Sequence, residues 1–273
     1  MLIKEYTFKD EIIIFHDDIE ANHEDYNITN LDHLFKVEKK HFWFITRNEF
    51  IYQNMNNVID KSSQLIEIGA GTGNVSRYLK SKNYLDISVG DMHRKGLLYA
   101  QSYGINKCYQ FDLLRVPFEN EFDVVCMFDV LEHIADDIQA LDSVNQILSS
   151  RGYIVLTVPA HQWLWNRSDV VAGHKRRYTK RELEDKLKVV GFEIISSRYF
   201  FMVITPLLWI RSLINKDTER DIINEEFDEE IHINSIINKV LLASSRIENK
   251  FNKYLPNWFG GSLFIIARKN DTI

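Results

Sequence analysis

The run Leu65-Ile66-Glu67-Ile68-Gly69-Ala70-Gly71-Thr72-Gly73-Asn74 restricts the fold more than any other stretch of this 273-residue chain. An apolar, strand-like segment enters a glycine-rich turn that opens a helix, so backbone N–H groups can approach a nucleotide or nucleoside closely. Gly69, Gly71 and Gly73 form G-x-G-x-G. A dinucleotide fingerprint needs its third glycine one place later, where this chain has Asn74. Glu67 stands two places before the first glycine, a poor neighbour for a phosphate and a good one for a cation. Taken alone, the loop also fits a plain strand–helix connection.

The following segments narrow the choice. Leu85–Asp91 is a second strand ending in an acid, the position from which a carboxylate takes both hydroxyls of a ribose. Cys108–Leu113 is a third, with Asp112 at its end; Phe122–Phe128 is a fourth, and Gly152–Pro159 a fifth. Strands alternating with helical stretches imply a mostly parallel sheet with helices on both faces.

With IEIGAGTG at 66–73, Asp91, FDL around Asp112 and FDVLEHI at 128–134 in this order, the chain resembles the class I S-adenosylmethionine-dependent methyltransferases. The resemblance covers roughly residues 40–200 and the last strand. It implies an α/β fold with a Rossmann-like, doubly wound seven-stranded sheet whose last strand, Gly261–Arg268, runs antiparallel between strands five and six. It also implies S-adenosyl-L-methionine as cofactor and S-adenosyl-L-homocysteine as product. By the same resemblance Gly69, Ala70, Gly71, Gly73 and Asn74 form the ligand loop, and Glu67 orients it. Asp91 holds the ribose, Met92 packs on the adenine, and Asp112 with Leu113 meets the adenine edge. Phe128 and Asp129 flank the methionine end. The pattern HFWF followed by Arg47 resembles a cap of bacterial members of the group, with Arg47 paired to the methionine carboxylate. The other reading has Trp43 and Phe44 as apolar anchors and Arg47 on the surface.

Three parts follow: an N-terminal extension and helical cap at 1–58, a core at 59–200 and 259–273, and an insertion at 201–258. The cap should contain a short strand at Glu11–Phe15, a helix from Leu31 and another near Arg47–Ile59. Thr179 and Glu182 should form a capping box for the helix before strand six. The insertion opens with the charge-free run 200–210, too short to span a bilayer. The run and its basic edge at Arg211 and Lys216 suit either a membrane-surface helix across 200–214 or a lid. The acidic stretch Asp217–Glu230 weighs against an anionic membrane. Ile233, Ile236, Ile237, Val240, Leu241 and Ile247 recur at helical spacing, predicting an amphipathic helix.

Methyl transfer needs in-line geometry first and, for a hydroxyl or ammonium acceptor, a base. His133 follows strand four and is one candidate, with packing as the bland alternative. The segment after strand five offers His174 and Tyr178 for catalysis, and His161, Trp165, Arg176 and Arg177 for the acceptor. The GHKRRY run at 173–178 resembles a signature of bacterial methyltransferases of glycan, lipid and natural-product pathways, and its cations suit an anionic acceptor. No metal-ligand spacing stands out, and Cys108 and Cys126 read as buried thiols of a reducing compartment.

The reaction expected is O-methylation of a small or lipid-linked acceptor, with N-methylation second. Alternatives from other classes are a cofactor-binding scaffold without turnover and a nicotinamide oxidoreductase, the latter opposed by Asn74. A net charge of −6 gives no footing for nucleic acid. The N-terminus reads as no signal peptide, so a cytoplasmic location is expected, with peripheral contact at the inner membrane face as an option. The acceptor's identity and the oligomeric state stay open.

Overall fold

The computed structural model describes residues 5–19, 30–214 and 233–270; the acidic stretch 217–230 and Lys216 lie outside them. Among the described residues nine strands form one mixed sheet. In chain order they are β1 (Thr7–Lys9), β2 (Ile12–Ile14), β3 (Leu65–Ile68), β4 (Ile87–Asp91), β5 (Lys107–Gln110), β6 (Phe122–Phe128), β7 (Leu148–Pro159), β8 (Phe192–Phe200) and β9 (Ser262–Lys269). Their spatial order is β1-β2-β5-β4-β3-β6-β7-β9-β8. β9 pairs antiparallel with both β7 and β8, while β3, β4, β5, β6 and β7 run parallel.

The expected seven strands are all present, and the sheet exceeds them by the β1–β2 hairpin. Its turn places Asp10 and Glu11 at φ 51° and 59°, the positive values that a tight hairpin demands. β2 then adds parallel to β5, pairing Ile12 with Cys108 and Ile14 with Gln110. β2 falls inside the short strand expected at Glu11–Phe15, whereas the three exposed residues of β1 carry too little alternation to announce a strand in sequence.

The pleat sends neighbouring residues to opposite faces. On β6, Val124, Cys126 and Phe128 join one apolar cluster and Val125 and Met127 the other. The helices are α1 (Asn30–Val37), α2 (Phe42–Met55), α3 (Asn74–Ser81), α4 (Arg94–Ser102), α5 (Asp137–Ile147), α6 (Arg167–Val171), α7 (Lys180–Val189), α8 (Thr205–Ile214) and α9 (Ser235–Phe251). Phe50 and Ile51 of α2, Val75 and Leu79 of α3 and Leu97 of α4 cover the first face. Leu141 and Val144 of α5 and Leu183 and Leu187 of α7 cover the second.

Four local expectations change. α2 starts at Phe42 rather than Arg47, because His41 caps it: the imidazole accepts from the Trp43 N–H at 3.3 Å. The aromatic cluster is thus helical, with Phe42 buried in the core and Trp43 half-buried against the same cluster. At α7 only one arm of the capping box forms, Thr179 accepting from the Glu182 N–H at 3.4 Å; the Glu182 carboxylate faces Lys186 instead, at 3.9 Å. The reciprocal box occurs at α6, between Asn166 and Asp169.

The fourth change is an inversion. α9 buries Ser245, Glu248 and Asn249 and exposes Ile236, Ile237, Val240 and Ile247. It docks on α2 through polar bonds: the Phe42 N–H donates to Asn238 Oδ1 at 2.8 Å, and Asn249 Nδ2 donates to the Thr46 carbonyl at 2.8 Å. Glu248 accepts from the Met202 and Val203 N–H groups, each at 2.9 Å, ahead of α8. Helical spacing in the sequence is right, but the face it presents to α2 is the polar one, with Leu241 and Leu242 packed at its margin. α8 likewise leaves Leu207, Trp209, Ile210 and Leu213 exposed. Among the described residues no helix is long and apolar enough to cross a membrane.

Candidate functional site

A cavity of about 400 Å³ opens at the carboxyl ends of β3, β4, β5 and β6, within the roughly 300–1,000 Å³ usual for small-ligand sites. The glycine loop forms one wall. Gly69 and Gly71 adopt φ 68° and 53°, a region closed to most side chains, and a Cβ at Gly69 would collide with Val130. Gly96, at the start of α4, abuts the loop from behind: a Cβ there would overlap the Gly71 carbonyl oxygen.

Asp91 ends β4 with its carboxylate pinned by two backbone donors. Gly71 N–H donates to Oδ2 at 2.8 Å and His93 N–H to Oδ1 at 2.7 Å. Burial pushes its pKa up, against the pull of His93 and these donors. Glu67, buried in β3, accepts from the N–H (2.8 Å) and hydroxyl of Ser76 in the first turn of α3, where a helix favours negative charge. Burial nevertheless raises its pKa to about 7, with the Ser76 hydroxyl and Arg47 opposing.

α1 and α2 close the far side. Leu31 and Leu34 of the first and Glu38 just after it, with Trp43, Phe44 and Arg47 of the second, line the cavity. α1 is held on α4 by Phe35 stacked on Tyr99 at 4.2 Å and by Asp32 bound to Lys95 at 2.7 Å. Arg47 is buried, lies with its guanidinium 4.4 Å from the Trp43 ring, and pairs with Asp129. Asp129 ends β6 at φ 56° and also accepts from Thr157 Oγ1 at 3.1 Å.

All the residues expected to hold a cofactor line this one cavity except Gly73. Gly73 sits behind it as the left-handed N-cap of α3, its α-carbon facing Ala100. Asp112 lines the cavity while capping the short turn after it, accepting from the Leu114 N–H at 2.9 Å and from Arg115 Nε at 3.0 Å. Sequence reasoning missed Glu38, a buried acid that accepts from Thr72 Oγ1 at 2.5 Å and the Tyr103 hydroxyl at 3.0 Å. Its only signal was an acid at the end of an apolar helix, which resembles any solvated turn.

The expected catalytic and acceptor residues divide. His133 lines the cavity, and His174 stands against it with ring centroids 4.8 Å apart. Tyr178, expected for catalysis, is fully buried in the core and donates to Asp137 Oδ2 at 2.9 Å, and burial drives its pKa far up. Arg177, expected at the acceptor, grips Asp169 with Nε at 2.8 Å and Nη2 at 2.9 Å. Arg176 binds Asp137 at 3.0 Å and the Ala135 carbonyl at 2.8 Å. His161 stacks on Tyr199 at 4.7 Å, and burial, then Arg177, lowers its pKa. Trp165 closes the short turn 162–164. None of these five lines the cavity; of the segment 161–178, only Ala172 does.

The charge balance of the cavity wall selects its ligand. Glu38, Glu67, Asp91, Asp112 and Asp129 face a single guanidinium, that of Arg47. A pyrophosphate would meet net repulsion; a cationic nucleoside meets attraction.

Comparisons with known proteins agree with this architecture. A family model described as a methyltransferase domain matches residues 47–197, more than half of the chain. No curated protein matches. Among solved structures, an S-adenosylmethionine-dependent methyltransferase of Thermotoga maritima is similar at TM-score 0.55 and 16% identity, over 89% of this chain and 96% of that one. Phosphoethanolamine N-methyltransferase 2 of Haemonchus contortus, solved in complex with S-adenosyl-L-methionine, is similar at 0.53 and 18%, over 88% and 60%. The [4+2]-cyclase SpnF is similar at 0.52 and 15%, over 82% and 81%. At these identities the likeness is one of fold.

Proposed function

The chain belongs to the methyltransferase-domain family, and on that premise we propose that it transfers the methyl group of S-adenosyl-L-methionine to an oxygen of a small or lipid-linked acceptor. The carrying observation is the acidic cavity itself, in which the glycine loop, Asp91, Asp112, Asp129 and Arg47 share one wall system. The bound sulfonium supplies an already activated methyl carbon. Asp91, oriented by its two backbone donors, retains lone pairs for a ribose diol. Glu67 and Asp129 attract an ammonium at the end where Arg47 meets a carboxylate. Trp43, Phe44 and Leu34 shed water from that end, and His133, when no metal holds it, is the wall imidazole that can take the acceptor's proton.

The exposed apolar residues favour a lipid-linked acceptor. Leu207, Trp209, Ile210 and Leu213 on α8 and Ile236, Ile237 and Val240 on α9 are accompanied by the exposed cations Lys239, Lys250 and Lys253. Apolar and aromatic residues edged by lysine suit an anionic membrane surface. Nitrogen as the acceptor atom is the second reading.

The fold also serves a cyclase, SpnF, so binding and turnover need separate tests. Isothermal titration with S-adenosylhomocysteine tests the first, and transfer of labelled methyl into metabolite and lipid extracts the second. Absence of binding ends the proposal; binding without transfer leaves a scaffold.

A further inference from the structure

Glu132 follows β6 in the short helical turn Leu131–His133 and has no exposed surface. Among the described residues, none donates a hydrogen bond to either of its carboxylate oxygens. A buried carboxylate in that state is costly unless a cation compensates it. The cation-binding groups are adjacent: donor atoms of Glu132, His133 and His174 all lie within 4.8 Å of one another, and His174 Nε2 is 3.8 Å from Glu132 Oε1.

The second nitrogen of His174 is already committed. Its Nδ1 lies 2.8 Å from Asp169 Oδ1. Asp169 accepts two bonds from Arg177 and one from the Asn166 N–H at 2.9 Å, so Nδ1 carries the hydrogen and the lone pair falls on Nε2, toward Glu132. A carboxylate behind a histidine whose other nitrogen faces a second carboxylate is the usual outer support of a metal-bound imidazole. The role of Arg177 and Asp169, puzzling for an acceptor loop, is then to aim His174. The backbone reinforces it, with Lys175 N–H donating to the Glu132 carbonyl at 2.8 Å.

We propose that Glu132, His133 and His174 bind one divalent transition-metal ion beside the cavity, leaving coordination positions open toward it for an acceptor oxygen. Two imidazoles and one carboxylate select first-row ions such as Zn²⁺, Co²⁺, Mn²⁺ or Fe²⁺ over Mg²⁺ and Ca²⁺, which prefer oxygen. Ligands about 2.1 Å from one ion stand roughly 3–3.5 Å apart, so the widest pair closes by about 1.5 Å. His133 lines the cavity, which gives the open positions their direction. The metal site stands on its own; its use on an acceptor rests on the methyl-transfer reading. There, the ion lowers the proton affinity of a bound hydroxyl, and the proton leaves to solvent. The oxygen lone pair forms the new C–O bond while the C–S pair stays on sulfur, so the sulfonium charge is lost.

The test uses the full chain stripped with EDTA and titrated with Co²⁺ under visible absorption, with Zn²⁺ bound per chain read by mass spectrometry. One ion per chain and d–d bands with nitrogen ligation are expected. His174→Ala should remove them, and Asp169→Asn should weaken binding by about 10–100-fold. Glu132→Gln serves as a third variant, and circular dichroism confirms that each is folded. No stoichiometric binding, or equal binding in folded His174→Ala protein, overturns the site. S-adenosylhomocysteine titration of the stripped protein separates the two readings. Metal binding without nucleoside binding would sink the methyl-transfer reading alone, and the reverse would sink the metal alone. Methyl transfer undiminished by EDTA and unaltered by added Zn²⁺ would overturn the acceptor role.

Discussion

Arg47 of helix α2 pairs with Asp129 at the end of strand β6, closing a charged contact between cap and sheet inside the cavity. The two residues are 82 positions apart, and both side chains are largely buried. Asp129 holds a left-handed backbone there, a conformation that persists only when its surroundings fix it.

Removing one partner strands the other. Arg47→Met should lower stability by about 2–4 kcal/mol, since a buried pair broken on one side leaves an uncompensated charge. Arg47→Met with Asp129→Asn should recover part of that loss. Denaturant midpoints in a double-mutant cycle check this, and additive losses would show the two to be uncoupled.

Asp91→Ala should weaken S-adenosylhomocysteine binding by one to two orders of magnitude, on the order of 1.4–2.8 kcal/mol. Titration calorimetry reads it. Unchanged affinity would remove Asp91 from the ribose site.

Gly96→Ala should damage the ligand loop from outside the cavity, because the new methyl meets the Gly71 carbonyl. Overpacking of this kind costs about 1–3 kcal/mol. Nucleoside affinity should fall along with the melting temperature, although Gly96 does not line the cavity; wild-type affinity would show the loop to be more yielding than its packing implies.

Burial pushes the Glu67 pKa up to about 7, above the usual 4.5 of a glutamate. The folded state therefore keeps a proton that the unfolded state releases. Its contribution to stability is complete below about pH 4.5 and declines as pH rises through about 7. Binding runs the other way, because a ligand ammonium prefers the ionised acid. Nucleoside affinity should drop as pH falls below 7, by up to about tenfold per unit, and Glu67→Gln should flatten that profile. A wild-type slope in the variant would place the titrating group elsewhere.

Trp209→Asp with Leu213→Asp should abolish sedimentation with vesicles rich in phosphatidylserine while sparing nucleoside binding. Equal sedimentation of the double variant, or none for the wild type, would count against a lipid-linked acceptor.

Much of this architecture is readable before folding. The central strands are apolar on both faces, and the strand-end acids Asp91, Asp112 and Asp129 stand where the family resemblance implies contacts to one ligand, so one cavity could be expected. Features made by tertiary partners were not legible. His41 caps α2 although histidine is an uncommon cap. Thr7–Lys9 becomes a strand only through its pairing with Ile12–Ile14. In the run GHKRRY, charge suggested a ligand clamp, whereas the acids Asp137 and Asp169 that absorb Arg176 and Arg177 lie on separate elements. Spacing along α9 gave the helix but not which side docks, because the docking is done by Asn238, Glu248 and Asn249.

That polar docking has a thermodynamic corollary. The inner side of α9 grips the backbone at Phe42 and Thr46, the turn of α2 that carries Trp43, Phe44 and Arg47 into the cavity. Whatever occupies the outer side of α9 holds the same rigid element whose inner side steadies the cavity wall. Any linkage between occupancy at the two places is reciprocal: if attachment outside changes the affinity for the nucleoside, the nucleoside changes attachment by the same factor.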